Sequence, residues 1–400
     1  VERAQLKALI LATGCAVERG EFVFLRDLKW GPAEQAQFET LQQATGAPCS
    51  DAGGWLCVPT GGTSGGLRFA RHDERTLGAA ARGFCEHFGL RRVNAVDVLP
   101  AHHVSGLMAR IRCVVTGGTL LVRSWKQLED GKWPEIPVRA DGWFLSLVPT
   151  QLQRLLASAA AVAWLKQFRA VFIGGGPLWP DLAESAAVAG VPVSICYGMT
   201  ETAAMVAAQK PGEFPAGDRS CGQPMPHVQV EIVDEVAGKG LPVGGLGLVR
   251  ISGESVCRGY WPAVDAGQSL LTEDLGRLDA QGRLQILGRR DAVIITGGEK
   301  VSPLEVETVL RTCGEFDDVA VIGLPDAAWG QVVVACHSPR NGKQDTRRID
   351  AALETLAPYK RPKRFLAISP WPRTAQGKLN RAALLAAALA GLDPGEQGGR

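Results

Sequence analysis

No two of the ten cysteines (Cys15, Cys49, Cys57, Cys85, Cys113, Cys196, Cys221, Cys257, Cys313 and Cys336) are close enough to form Cys-x-x-Cys. Most lie in apolar stretches. That scatter argues against a disulfide framework or a zinc site and for reduced, buried thiols, as in a cytosolic protein. The six histidines show no His-Glu-x-x-His or similar spacing, so no structural metal is expected. A charge excess is missing too. Lys+Arg number 43 and Asp+Glu 41, a net charge of +2, which argues against a general nucleic-acid binder. The apolar stretches near 155–165 and 382–392 are alanine-rich and too short to span a bilayer. No signal peptide is visible, so no membrane insertion and a cytoplasmic location are expected. The opening Val1 in place of Met leads us to expect an altered or missing native start.

What is present fits a globular protein of two or three domains: 400 residues, 46% apolar and 21% charged. Residues 1–46 read mostly as helix, with Leu6, Leu9, Ile10 and Val17 at helical spacing. A short strand at 55–59 feeds a glycine-rich loop, and 74–88 is an amphipathic helix. Strands at 95–99, 119–122, 144–148 and 170–173 then alternate with helices from about Gly106 and over 149–168. That alternation predicts a mainly parallel, helix-flanked sheet. After 191–196, strand-like pieces at 228–233, 246–252 and 284–286, with a hairpin turn at 279–282, predict a small β subdomain. The expected fold class is therefore α/β. A large N-terminal domain (1–288) carries helix-flanked, mainly parallel sheets plus the β subdomain, and a small mobile α+β domain (289–400) follows.

Three separated segments make sense together as one active site: 59–68 (PTGGTSGGLR), 197–202 (YGMTET) and 372–379 (PRTAQGKL). In the first, Gly61, Gly62 and Gly65 let backbone N–H groups approach phosphate oxygens, and Thr60, Thr63 and Ser64 add hydroxyl donors. It is not a Walker loop, because Leu67-Arg68 stands where Lys-Ser/Thr would be needed. Alone it reads equally well as a surface turn. In the second, Tyr197 can stack on a base, Gly198 turns the chain, Thr200 can donate to a phosphate and Glu201 can hold Mg2+. The competing reading is a helix N-terminus capped by Thr200. Lys378 can neutralise charge on a carboxylate and an α-phosphate in a transition state, although a solvated tail lysine is the default.

Gly174, Gly175, Gly176 and Pro177 follow the strand at 170–173, a usual ligand position in an α/β sheet. Asp274 can accept both hydroxyls of a ribose or be an exposed turn residue. Arg289 and Asp291 flank a domain boundary, where a linker salt bridge is the alternative. Taken in this order and at these separations, the segments point to an enzyme that activates a carboxylate with ATP.

Together they resemble the acyl-adenylate-forming enzymes, the superfamily of acyl-CoA synthetases, adenylation domains and luciferases. The similarity runs from about Trp55 to Arg381 and is most specific over 288–303 (GRRDAVIITGGEKVSP). It implies ATP, Mg2+ and CoA as cofactors, a small-molecule carboxylic acid as the other substrate, and a homodimer as one compatible assembly. By this resemblance Thr60, Gly61, Gly62, Thr63, Ser64, Gly65 and Arg68 hold the pyrophosphate. Gly174–Pro177, Tyr197 and Gly198 frame the adenine. Thr200 and Glu201 contact the α-phosphate and the metal, Asp274 the ribose, and Arg289 the ribose or phosphate. Asp291 is the hinge, Lys378 assists adenylation, and the Gly297–Gly298 hairpin serves CoA attack after the small domain rotates.

Within the superfamily, 99–106 (LPAHHVSG) and its continuation to Gly118 resemble the o-succinylbenzoate–CoA ligases of menaquinone and phylloquinone synthesis. That implies an acyl pocket with His103 near the reacting carboxylate, Ser105 beside it, and Arg112 as partner of a second carboxylate or keto group. A helix-surface ion pair is the other reading of Arg112, and Arg110 is the competing position. Ligases for other aryl or short acyl acids, and a catalytically silent nucleotide-binding module, are the rival readings. Arg68 stands where the family has lysine and Leu67 where it has proline. Only 58 residues precede Pro59, so a reduced N-terminal subdomain is expected.

Overall fold

The computed structural model describes residues 7–9, 16–19, 22–28, 30–44, 54–61, 67–137, 142–263, 267–339, 344–373 and 379–391. The chain divides into two compact units. The first comprises residues 1–178, 185–272 and 277–285, and the second 179–184, 273–276 and 286–400.

The first unit opens with a sheet ordered β1 (Ala16–Arg19), β2 (Phe22–Leu25), β3 (Leu56–Gly61) and β4 (Leu67–His72). Strands β2 and β3 run parallel and the other pairs antiparallel. The helical reading of 1–46 holds at 7–9 and Pro32–Gln43, but Ala16–Arg19 and Phe22–Leu25 are strands instead. Val23, Phe24 and Leu25 are fully buried in succession. A short aromatic and branched run buried on both faces favours a strand over a one-sided helix. Phe24 meets Phe69 and Trp261 edge-on, with ring centroids 5.4 and 5.1 Å apart.

The second sheet holds β5 (Asn94–Asp97), β6 (Leu120–Val122), β7 (Trp143–Leu147), β8 (Ala170–Ile173), β9 (Val193–Met199), β10 (Ala204–Ala208) and β11 (Gln223–Pro224). Its order is β11-β10-β9-β8-β7-β5-β6. Strands β9, β8, β7, β5 and β6 are parallel, while β10 and β11 add an antiparallel edge. The helix Glu74–Phe88 keeps the expected bounds. Asp73 caps it by accepting from the backbone of Arg75 and Thr76, and Gly89 ends it at φ 62°. One helix was expected over 149–168, but the chain forms two, Pro149–Leu156 and Ala159–Leu165. Ser158 restarts the helix by accepting from the Ala161 N–H.

A four-stranded sheet follows, ordered β12 (Val228–Val233), β13 (Gly247–Gly253), β14 (Ser269–Leu278) and β15 (Leu284–Arg289). The ten-residue β14 was not foreseen. Thr272, Asp274 and Gly276 alternate as its buried positions, and two polar members of that face hid the strand period.

In the second unit, β16 (Ile294–Thr296) and β17 (Glu299–Val301) form a hairpin closed by Gly297 and Gly298, both at positive φ. Strands β18 (Val319–Asp326), β19 (Gly330–His337) and β20 (Arg364–Ala367) complete the sheet. Helices Pro303–Thr312 and Thr346–Glu354 pack in one apolar cluster through Val306, Leu310, Ile349 and Leu353. Helix Arg381–Ala390 joins a second cluster through Leu384 and Ala388. Cys85, Cys113, Cys196, Cys313 and Cys336 are free thiols. Among the described residues no helix is long and apolar enough to cross a membrane.

Candidate active site

Three of the expected segments follow the carboxyl ends of parallel strands of one sheet: His103 after β5, Gly174–Pro177 after β8, and Tyr197–Glu201 at the end of β9. Ligands of open α/β sheets collect at such ends. Gly174 packs against the Cys196 thiol, where an added Cβ would lie 2.9 Å from the sulfur. Gly198 has no room for a side chain, since a Cβ would come within 1.9 Å of the Ala204 carbonyl oxygen.

Between β9 and β10 the chain turns through one 3-10 turn, Thr200–Thr202. Ala203 and Ala204 follow at φ 52° and 78°. Left-handed alanines cost about 1–3 kcal/mol each and persist only where their surroundings over-determine them. Here the Thr202 hydroxyl donates to the Ala204 carbonyl at 2.8 Å, and His72 Nε2 lies 2.8 Å from the Thr200 carbonyl. Burial holds the His72 pKa below its ordinary value. The ring is therefore neutral, and the carbonyl assigns its proton to Nε2.

The base of the glycine loop meets this corner. Thr60 and Arg68 face each other across β3 and β4. The Thr60 hydroxyl donates to Glu201 Oε1 at 3.1 Å. The Tyr260 hydroxyl donates to the same oxygen at 2.8 Å. The Arg68 guanidinium carbon stands 3.6 Å from the centroid of the Tyr260 ring. Burial and the Glu201 carboxylate push the Tyr260 pKa up, so the phenol remains a donor. Gly62, Thr63, Ser64 and Gly65 lie outside the described residues, as does Lys378.

On the acid side, His103 is the N-cap of helix Val104–Val115, and its side chain makes no cap bond. Its ring centroid is 4.3 Å from that of His102. Ser105 is half-buried in the first turn. The two arginines of this helix part company. Arg110 donates to Asp97 at 2.7 Å. Arg112 is 4% exposed, lies over the Phe84 ring, and has Nε and Nη2 buried with no hydrogen-bond partner among the described residues. Burial lowers its pKa to about 10. It lines a small cavity of about 10 Å3 with Phe84, Ala109, Ser146 and Phe172; His103 is not part of that lining.

In the second unit, Asp274 is 8% exposed within β14 rather than on an exposed turn. Arg289 Nη1 reaches it at 3.4 Å. Arg289 also makes a bidentate pair with Asp291, at 2.8 and 2.7 Å, and that pair raises the Arg289 pKa. An added Cβ on Gly297 would lie 2.7 Å from the Trp329 ring.

Two family models match the chain. The model described as AMP-binding enzyme covers residues 16–261, and the one described as AMP-binding enzyme C-terminal domain covers 305–378. The chain belongs to the AMP-binding enzyme family. It is 33% identical over 329 residues to the 2-succinylbenzoate–CoA ligase of Enterococcus faecalis, covering 80% of this chain and 67% of the relative. With the ligase of that name from Geobacillus kaustophilus it shares 34% over 292 residues, 71% of this chain and 59% of the relative. The chain thus spans about three fifths to two thirds of these relatives' length. Among solved structures, it is similar to the Bacillus subtilis o-succinylbenzoate CoA synthetase. The complex with ATP and magnesium ion superposes with a TM-score of 0.70 at 28% identity, covering 82% of this chain and 69% of that one. The complex with the acyl-adenylate intermediate gives 0.73 at 25% identity, covering 95% and 80%.

For an AMP-binding enzyme the donor set at the corner is chemically apt. Among the described residues no group of three or more His, Cys, Asp or Glu could cage a metal. A single carboxylate, Glu201, suits Mg2+, which takes one or two carboxylates and completes its shell with phosphate and water. Tyr260 and His72 were missed in the sequence. Nothing in CRGYW or RHDER announces a partner 59 or 128 residues away.

Proposed function

We propose that this chain ligates CoA to a carboxylic acid through an acyl-adenylate, with o-succinylbenzoate as the acid. The observation that carries the reaction class is the Thr60–Glu201 bond. It joins the base of a glycine-hydroxyl loop to a Thr-Glu corner 141 residues away. The acid is supported by what the relatives are called and by a buried arginine that retains two free donors. An arginine fork suits a second carboxylate.

In this reading Thr60, Gly61, Gly62, Thr63, Ser64, Gly65 and Arg68 bind the β- and γ-phosphates. Gly174, Gly175, Gly176, Pro177, Tyr197 and Gly198 seat the adenine, and Asp274 and Arg289 the ribose. Glu201 would hold Mg2+, which when bound would neutralise phosphate charge. Thr200 and Lys378 stabilise the α-phosphate as the acid carboxylate attacks in line and pyrophosphate leaves. His103 and Ser105 orient that carboxylate, and Arg112 holds the distal one. The thiol of CoA then attacks the adenylate beside the Gly297–Gly298 turn, and AMP leaves. No side-chain nucleophile is used, because positioning supplies much of the rate. Residues 289–400 are the mobile part in this scheme, with Asp291 as hinge.

A coupled assay comparing o-succinylbenzoate with benzoate, indoleacetate and medium-chain fatty acids tests this. The expected result is AMP and pyrophosphate release that is fastest with o-succinylbenzoate. Absence of pyrophosphate exchange with every acid would remove the reading altogether. Preference for a monocarboxylate would replace only the acid.

A further inference from the structure

Glu201 does not set its own orientation. Its side chain is half-buried, and both of its described hydrogen bonds end on Oε1. No described residue donates to Oε2. A carboxylate held through one oxygen offers the other in a fixed direction, which is what a cation bound together with a nucleotide requires.

The two donors come from elements that are themselves fixed. Thr60 ends β3. Tyr260 lies on the segment 257–261, which is pinned along its length. The Cys257 N–H donates to the Glu201 carbonyl at 2.8 Å, the Arg258 N–H to the Arg71 carbonyl at 2.8 Å, and the Trp261 N–H to the Phe69 carbonyl at 2.9 Å. In return the Arg71 N–H donates to the Gly259 carbonyl at 2.9 Å. Arg258 is further paired with Asp73 at 3.0 Å. The same segment therefore grips Glu201 twice, at its backbone carbonyl and at its carboxylate. Arg68, across the hairpin from Thr60, covers the Tyr260 ring and limits its swing.

We infer that Tyr260 is a positioning residue for the metal step: with Thr60 it locks Oε1 of Glu201 so that Oε2 faces the nucleotide-bound cation. This rests on the proposed reading of Glu201 as the Mg2+ ligand. Tyr260 touches neither substrate nor metal. It acts through Glu201, and its hydroxyl is the atom that matters.

Tyr260→Phe removes that one atom and leaves the ring under Arg68. The probe is Mn2+, titrated into the purified full chain with saturating ATP and followed by electron paramagnetic resonance. ATP binding in excess EDTA is measured alongside by calorimetry. The expected result is about tenfold weaker Mn2+ binding in the variant, with metal-free ATP binding and melting temperature held at the parent's values. Equal Mn2+ affinity in variant and parent overturns the inference. So does an equal loss of metal-dependent and metal-free ATP binding, which marks a general structural role. If the parent itself shows no Mn2+ binding dependent on ATP, the proposed function falls as well, and the two failures are thereby told apart. Should Tyr260→Phe not fold, Thr60→Val acts on the same oxygen; because Thr60 also faces the phosphates in the proposed reading, its Mn2+ affinity must fall by a larger factor than its affinity for metal-free ATP, and equal factors overturn the inference.

Discussion

The guanidinium carbon of Arg112 stands 4.1 Å from the centroid of the Phe84 ring. That contact gives a buried cation a favourable face, but it satisfies none of its N–H groups. Arg112→Met should therefore separate function from stability. Removing two unpaired buried donors is expected to leave the fold as stable as the parent or up to about 2 kcal/mol more stable. Activity on o-succinylbenzoate, read as kcat/KM, should drop about tenfold or more, with benzoate unaffected. Melting curves and the paired assays decide it, and an unchanged preference between the two acids would free Arg112 from substrate.

Arg110 should behave in the opposite way. Its partner Asp97 has a side chain only 2% exposed, and burial raises the Asp97 pKa despite the arginine. Arg110→Ala leaves that carboxylate uncompensated, at about 3–5 kcal/mol. Because the folded pKa lies above the ordinary 3.8, the protonated carboxyl is the better tolerated form in the fold. The penalty is full at neutral pH and shrinks as the pH falls through the raised value. Denaturant unfolding of the variant at pH 7 and in mild acid tests both size and sign.

His227 gives the wild-type chain an acid limb. Burial, then the charge of Arg112, lowers its pKa to about 4 from 6.5. The unfolded chain takes up this proton near pH 6.5 and the folded chain only near 4. Stability that is complete above pH 6.5 is thus lost as the pH falls toward 4, by about 3 kcal/mol in full. His227→Leu should flatten that limb in urea unfolding followed from pH 7 to 4.5. An acid limb identical in the variant would assign the loss to other groups.

Lys378→Ala should slow adenylation about 100-fold or more and spare thioesterification of preformed acyl-adenylate. Single-turnover measurements of each half-reaction are the check, and parallel losses in both would deny the lysine a step-specific role.

Much of this architecture could be read from the residues. The β–α alternation, the helix at Glu74–Phe88 and the Gly297–Gly298 turn carry local signals that the fold obeys. The strand at Phe22–Leu25 was hidden because four apolar residues in succession satisfy a helical and a strand period alike. The strand around Asp274 was hidden because its buried face is polar. That Arg112, not Arg110, is the buried arginine of this helix was legible. Val104, Met108, Ile111 and Arg112 fall on one helical stripe, and that stripe is buried. What no local pattern could reveal is Tyr260, which reaches Glu201 only because the backbone at Ala70 pairs with it.

The Thr-Glu corner is fixed by the hairpin of β9 and β10, whereas Arg112 belongs to a separate helix. If the proposed function holds, energy supply and choice of cargo reside on different pieces of chain, and retooling for a new acid is a matter of exchanging one twelve-residue cylinder while the part that spends the nucleotide stays as it is.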